Sequence, residues 1–219
     1  MKTGILKSLT KEWPLFVTAA LGLIGLQFSP TLIADLQYDR AAIASGEVWR
    51  LLTGHFVHWS WEHLFWDALV FLGVGFFIAR ESISRFVFVT ITSSLLISGA
   101  VWFFLPEMQL YRGLSGIDSA LFTCFMTMLW QRARCDGDTT MAWLSIAGIV
   151  LFLLKSSVYE LATGQTIFVS FEENIVSVPL AHLIGGAWGV ALVLFWSTTG
   201  NWDTNCRESD ATSQGTGSC

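Results

Sequence analysis

Residues 61–79 read WEHLFWDALVFLGVGFFIA, and after Glu62 and His63 the run holds one ionisable side chain, Asp67. A helix that spans a bilayer needs about 20 mostly apolar residues to cross a hydrocarbon core about 30 Å thick. Outward from this stretch, five more apolar runs can be drawn: Trp13–Phe28, Arg85–Leu105, Ser115–Trp130, Met141–Leu161 and Pro179–Thr198. The expected fold is an all-α polytopic membrane protein, a bundle of six transmembrane helices over residues 1–200. The polar stretch 201–219, rich in Ser, Thr, Gly and Asn, reads as a disordered cytoplasmic tail. Lys2, Lys7 and Lys11 precede the first run as in a signal peptide, but Phe28-Ser29-Pro30 is no small-x-small cleavage site. That run is therefore expected to be a retained first helix.

Composition agrees. The 219 residues are 53% hydrophobic and only 13% charged, against about 25% charged in soluble domains. This excludes a disordered chain and argues against an ordinary soluble enzyme. A net charge of -5 offers no basic face for nucleic acid. The expected environment is the lipid bilayer, with Trp59, Trp61 and Trp66 among its interface anchors. With the N-terminus inside, Lys2, Lys7, Lys11, Arg80, Arg85, Arg132, Arg134 and Arg207 are internal. Only Arg40, Arg50, Arg112 and Lys155 are external, so the excess of positive charge puts both termini in the cytoplasm. The long connection from Ser29 to Ser60 is expected to be structured at the outer leaflet. The shorter one from Ala162 to Val178 is a candidate lid.

An ionisable side chain inside a span is costly, and so marks a functional site by default. Asp67, Asp118 and His182 lie in spans, and His55, His58 and His63 cluster at the entrance to the second. Gly113-Leu114-Ser115-Gly116 ends a loop and opens the fourth run. Ser115 would stand in the first helical turn, where free N–H groups and the positive helix end favour a developing negative charge. About sixteen apolar residues span only about 24 Å, so Ser115 is expected somewhat below the outer surface. A buried serine needs a base to become a nucleophile, and His182 near the outer end of the sixth run is the candidate. Gly185 and Gly189 form a small-xxx-small face that permits close helix approach.

These residues resemble the rhomboid intramembrane serine proteases. Gly-x-Ser-Gly at residues 113–116 and Ala-His-x-x-Gly at residues 181–185 are similar to the family's nucleophile and base motifs. His58, His63 and Asp67 resemble its His-x4-His-x3-Asn pattern, and Trp49-Arg50 its first-loop pair. The run from Tyr111 to Ala120 resembles the rhombosortase subgroup, small bacterial six-helix rhomboids. The resemblance implies a Ser115–His182 dyad, with His63, Asp67, His58 and Asp118 as oxyanion or auxiliary residues. Gly113, Gly116, Gly185 and Gly189 would be helix-packing positions. It also implies residence in the bacterial inner membrane, with the site toward the periplasm. The implied substrates are membrane-anchored exported proteins ending in Gly-Gly, a transmembrane helix and a basic cluster. No cofactor or metal is expected.

One position departs from the family pattern: Asp67 stands where Asn is usual. An ionised Asp donates no hydrogen bond, so Asp67 is either protonated or orients His63, four residues earlier on the same helix face. Plainer readings compete. Ser115 and Asp118 fit a helix capping box, and His182 would serve as a buried histidine bonded to backbone. His55, His58 and His63 suggest a metal site, but without the His-Glu-x-x-His spacing. A non-catalytic rhomboid-like protein that binds membrane helices is the alternative function. A transporter would want broken helices or a repeat.

Overall fold

The computed structural model describes residues 12–155 and 178–199. Helix α1 spans Trp13–Gln27 and α2 spans Pro30–Leu36, the two bent by 105°. Pro30 cannot continue α1, and it drives Ser29 into extended backbone. Ser29 then caps α2 by accepting from the Leu32 N–H at 3.3 Å. The first loop continues through strand β1 (Tyr38–Asp39), α3 (Arg40–Ala44), α4 (Arg50–Thr53) and a 3-10 turn (Gly54–Phe56). Then come α5 (Trp61–Glu81), α6 (Ile83–Phe104), strand β2 (Leu110–Tyr111), α7 (Ser115–Cys135), α8 (Thr139–Leu153) and α9 (Pro179–Thr198). Ser60, Ser82 and Asp138 cap α5, α6 and α8 with their side-chain oxygens.

Among the described residues, α5, α6 and α9 are long and apolar enough to cross a membrane, and α1 with α2 makes a fourth if the bent pair counts as one span. The chain is a multi-pass membrane protein. Helix α7 is less apolar than these, as its place at the centre allows, packed by α9, α8, α5 and α6. Shielded from lipid, it carries hydroxyls that bond within the bundle. Ser119 donates to the Ser115 carbonyl at 2.7 Å, Thr127 to the Thr123 carbonyl at 2.7 Å, and Thr123 to the Gly186 carbonyl at 2.8 Å.

Helix α7 does not stop near Trp130; it runs on to Cys135. Its last turn is polar, and Arg132 there pairs with Glu81 at the end of α5. At 21 residues the helix is too long for the expected submersion of Ser115 to follow from its length. The fifth run is helical over Thr139–Leu153, and its remainder past residue 155 lies outside the described residues, as do most of the candidate lid and the tail.

The first loop is built into the bundle. Arg40 donates to the carbonyls of Val101, Trp102, Leu105 and Met108 at 2.9–3.1 Å. It thereby satisfies the end of α6, where helix carbonyls lack partners. Buried His55 holds the loop to the middle of α6 through the Ser94 carbonyl and the Ser98 hydroxyl, both at 3.0 Å. Burial depresses the His55 pKa from 6.5 to about 4, so the folded protein keeps the ring neutral while the unfolded chain protonates it first. Stability from this source is complete above about pH 6.5 and drains as pH falls toward about 4. Unfolding midpoints in detergent should fall on acidification through that window, and His55→Gln should flatten the fall. An equally steep profile in the variant would assign the acid sensitivity elsewhere.

Helices α7 and α9 approach backbone to backbone. A Cβ on Gly185 would run into the Gly116 carbonyl, and one on Gly189 into the Ala120 carbonyl. Neither obstacle is a flexible side chain. Gly189→Val should cost about 3 kcal/mol or more, the upper end of overpacking, read as a lowered denaturation midpoint. Ala19→Val, facing the looser groove beside α1, is the control expected near wild type.

Candidate active site

Strand β2 brings the chain to the turn that precedes Ser115. It pairs antiparallel with β1, Tyr38 opposite Tyr111 and Asp39 opposite Leu110. Beyond it the Gly113 N–H donates to the Gly54 carbonyl at 3.3 Å. Gly113 adopts φ +121°, a conformation open to glycine. A Cβ there would also stand 2.7 Å from the His63 ring. Gly113 is thus a loop residue that lets the turn lie against His63, and not a helix-packing position. Gly116, the second residue of α7, faces Ile97 and Ala181.

Ser115 is the first residue of α7 and remains partly exposed. The Nε2 of His182, one turn into α9, lies 3.0 Å from its Oγ. The close α7–α9 contact through Gly185 and Gly189 brings the two side chains together from positions 67 residues apart. A serine hydroxyl at hydrogen-bond distance from an imidazole, at a helix N-terminus, can form an activated nucleophile.

Asp67 sits one turn below His63 on α5, with both buried. Its Oδ2 accepts the Leu114 N–H at 2.8 Å. The Nε2 atoms of His58 and His63 each stand 3.2 Å from the same oxygen, their rings nearly perpendicular and 5.1 Å apart. One carboxylate oxygen therefore gathers Leu114, the residue before Ser115, and both upstream histidines. His58 lies in the loop, where burial lowers its pKa against the opposing pull of Asp67.

Asp118, three residues after Ser115, is buried, and its Oδ1 has no hydrogen-bond partner among the described residues. It does not cap the helix: Leu114 occupies the N-cap position with no side-chain bond. Tyr111 was not singled out from sequence as a site residue, yet its hydroxyl reaches back to the Gly113 carbonyl at 3.4 Å and its ring packs edge-on against His55. Burial, then the charges of Asp67 and Asp118, hold its phenol above the ordinary range, so it stays a neutral donor. The alternation of β2, which turns Tyr111 inward, was the available signal.

Residues 45–198, more than two thirds of the chain, match the family model of the Rhomboid domain. The chain belongs to the rhomboid family. The match runs from the first loop through α9 and leaves α1 outside it. No curated protein matches the chain in sequence. The rhomboid family is one of intramembrane serine proteases, and rhomboid proteases act on membrane protein substrates.

Proposed function

We propose that this rhomboid is an active intramembrane serine endopeptidase working through a Ser115–His182 dyad. The single observation that carries the reading is the 3.0 Å approach of His182 Nε2 to Ser115 Oγ. A helix-binding protein without catalysis has no need of that pair. In this reading six spans form the domain over residues 1–200. The termini lie in the cytoplasm, residues 201–219 form a polar tail, and the site faces the periplasmic side of a bacterial inner membrane. The cation asymmetry of the loops supports that orientation.

Ser115 Oγ attacks the scissile carbonyl while His182 Nε2 takes its proton, leaving a tetrahedral oxyanion. The Ser115 N–H, unpaired within the first turn of a helix, stabilises that charge. His63, beside the nucleophile turn, is the second stabilising group. Collapse breaks the C–N bond, and the His182 proton passes to the leaving amine. Water, deprotonated by the same imidazole, then releases the acyl group from Ser115. Asp67 acts as an acceptor that orients the turn and the histidines, because its Oδ2 takes the Leu114 N–H. Asp118 is auxiliary.

The substrates are exported membrane-anchored proteins with a C-terminal Gly-Gly, a transmembrane helix and a basic cluster, as in the rhombosortases that residues 111–120 resemble. A helix hides its carbonyls, and Gly-Gly unwinds readily. The test is cleavage, by purified protein in vesicles, of a reporter ending in those three features, together with fluorophosphonate labelling of Ser115. Cleavage and labelling are both expected. An intact reporter with an unlabelled serine would favour the helix-binding alternative.

A further inference from the structure

Four arginines of the outer face and bundle ends can be compared by how they spend their donors. Arg40 gives its fork to four helix-end carbonyls, Arg50 to the Ala34 and Gln37 carbonyls and Glu47, and Arg132 to Glu81. Arg112 is different. Its Nε donates to Gln37 Oε1 at 2.8 Å, and its guanidinium lies over the Trp59 ring at 4.1 Å. The donors on its two terminal nitrogens have no hydrogen-bond partner among the described residues, and no carboxylate there stands within 4.0 Å.

A guanidinium carries five donors in a fixed fork suited to carboxylates. Here the fork is clamped from one side and faced by an aromatic plane, so little ordering entropy remains to be lost when an anion arrives. The cation is partly buried, and a partly desolvated charge without a counterion is costly until it meets one. Position supplies the purpose. Arg112 directly follows β2 and is three residues before Ser115, with the turn at Gly113 and Leu114 between them, so the chain places it at most about 10 Å from the nucleophile. Tyr111 turns inward, so Arg112 points to the opposite face. An extended substrate whose carbonyl reaches Ser115 has its neighbouring residues within reach of this segment.

We propose that the Arg112 guanidinium is a specificity subsite that takes a substrate carboxylate, an Asp or Glu side chain within about four residues of the cleaved bond. The inference rests on the proteolytic reading above and names a feature of its substrates. The Trp59 face and Gln37 are the parts that hold the fork in place. A lipid phosphate offers the same chemistry from another source. The placement between β2 and the nucleophile favours the substrate.

The experiment uses the full-length protein in phosphatidylcholine vesicles. The reporters end in Gly-Gly, a transmembrane helix and a basic cluster, and carry Glu, Gln or Lys at each of four positions on either side of the cut. At one or two positions Glu should raise kcat/KM by about tenfold over Gln, since charge-assisted hydrogen bonds outweigh neutral ones. Arg112→Gln should erase that preference, and Arg112→Glu should shift it to Lys, a rescue that also shows the variant folded. Equal rates across all charges, with Ser115 still cleaving, would overturn this inference and leave the protease reading standing. No cleavage of any reporter would overturn both. A rate that follows added phosphatidylglycerol in an Arg112-dependent way, with no effect of reporter charge, would assign the cation to lipid and overturn the subsite.

Discussion

His182→Ala should lower the rate of reporter cleavage by about 10⁴-fold or more, with substrate binding little changed. A serine at neutral pH is a poor nucleophile, and the base within reach of Ser115 is the imidazole whose Nε2 stands 3.0 Å away. Removing that base leaves the hydroxyl in place at the head of α7 but gives its proton nowhere to go and supplies no proton to the leaving amine. Ser115→Ala removes the nucleophile itself and should fall to the same floor. The two losses should not add, because the residues act as one unit. Single-turnover cleavage of the Gly-Gly reporter by each variant and by the double variant is the measurement. A double variant much slower than either single one would mean the residues act independently. Residual full activity in Ser115→Ala would sink the mechanism. Fluorophosphonate labelling separates the steps: His182→Ala should label slowly and Ser115→Ala not at all.

Much of this architecture was readable from apolar run lengths, because a bilayer imposes one simple rule on the chain. Pro179–Thr198 is helical over the residues expected, and α5 runs only to Glu81 beyond the expected Ala79. Helix α7 shows where the rule weakens. A helix enclosed by four others escapes the demand for apolarity, and its exposed polar last turn, where Arg132 pairs with Glu81, continues the helix past the apolar run. The first loop was legible as structured, but its attachments were not. Arg40 finds carbonyls 61–68 residues away, and His55 finds α6 about forty residues on. No local pattern encodes such partners. The Ser115 and His182 motifs stood out because polar groups are rare in the spans. Their meeting depends on Gly185 and Gly189, whose spacing was visible though the carbonyls they make room for were not.

Asp67 is the position where sequence left two roles open, and its variants carry the second large effect. Asp67→Ala should cut kcat by about 10²- to 10³-fold while KM moves by less than about threefold. The buried Leu114 N–H would lose the acceptor it now meets at 2.8 Å, and an unpaired buried donor costs about 1–3 kcal/mol. The turn would move to find water or another acceptor, carrying Ser115 with it, and misplacement by about 1 Å can cost about 10²-fold. His58 and His63 would lose the oxygen that both face at 3.2 Å. Asp67→Asn divides the contributions. The amide retains an oxygen for Leu114 but carries no charge toward the histidines, so a loss of about tenfold is expected, between wild type and Ala. If Asn equals wild type, the carboxylate charge is unnecessary and the residue works as a neutral group, as the family's usual Asn would. If Ala keeps full kcat, the tether to Leu114 does not position the nucleophile. Thermal midpoints measured alongside distinguish positioning from collapse, because a positioning residue lowers kcat in a protein that still unfolds cooperatively near the wild-type temperature.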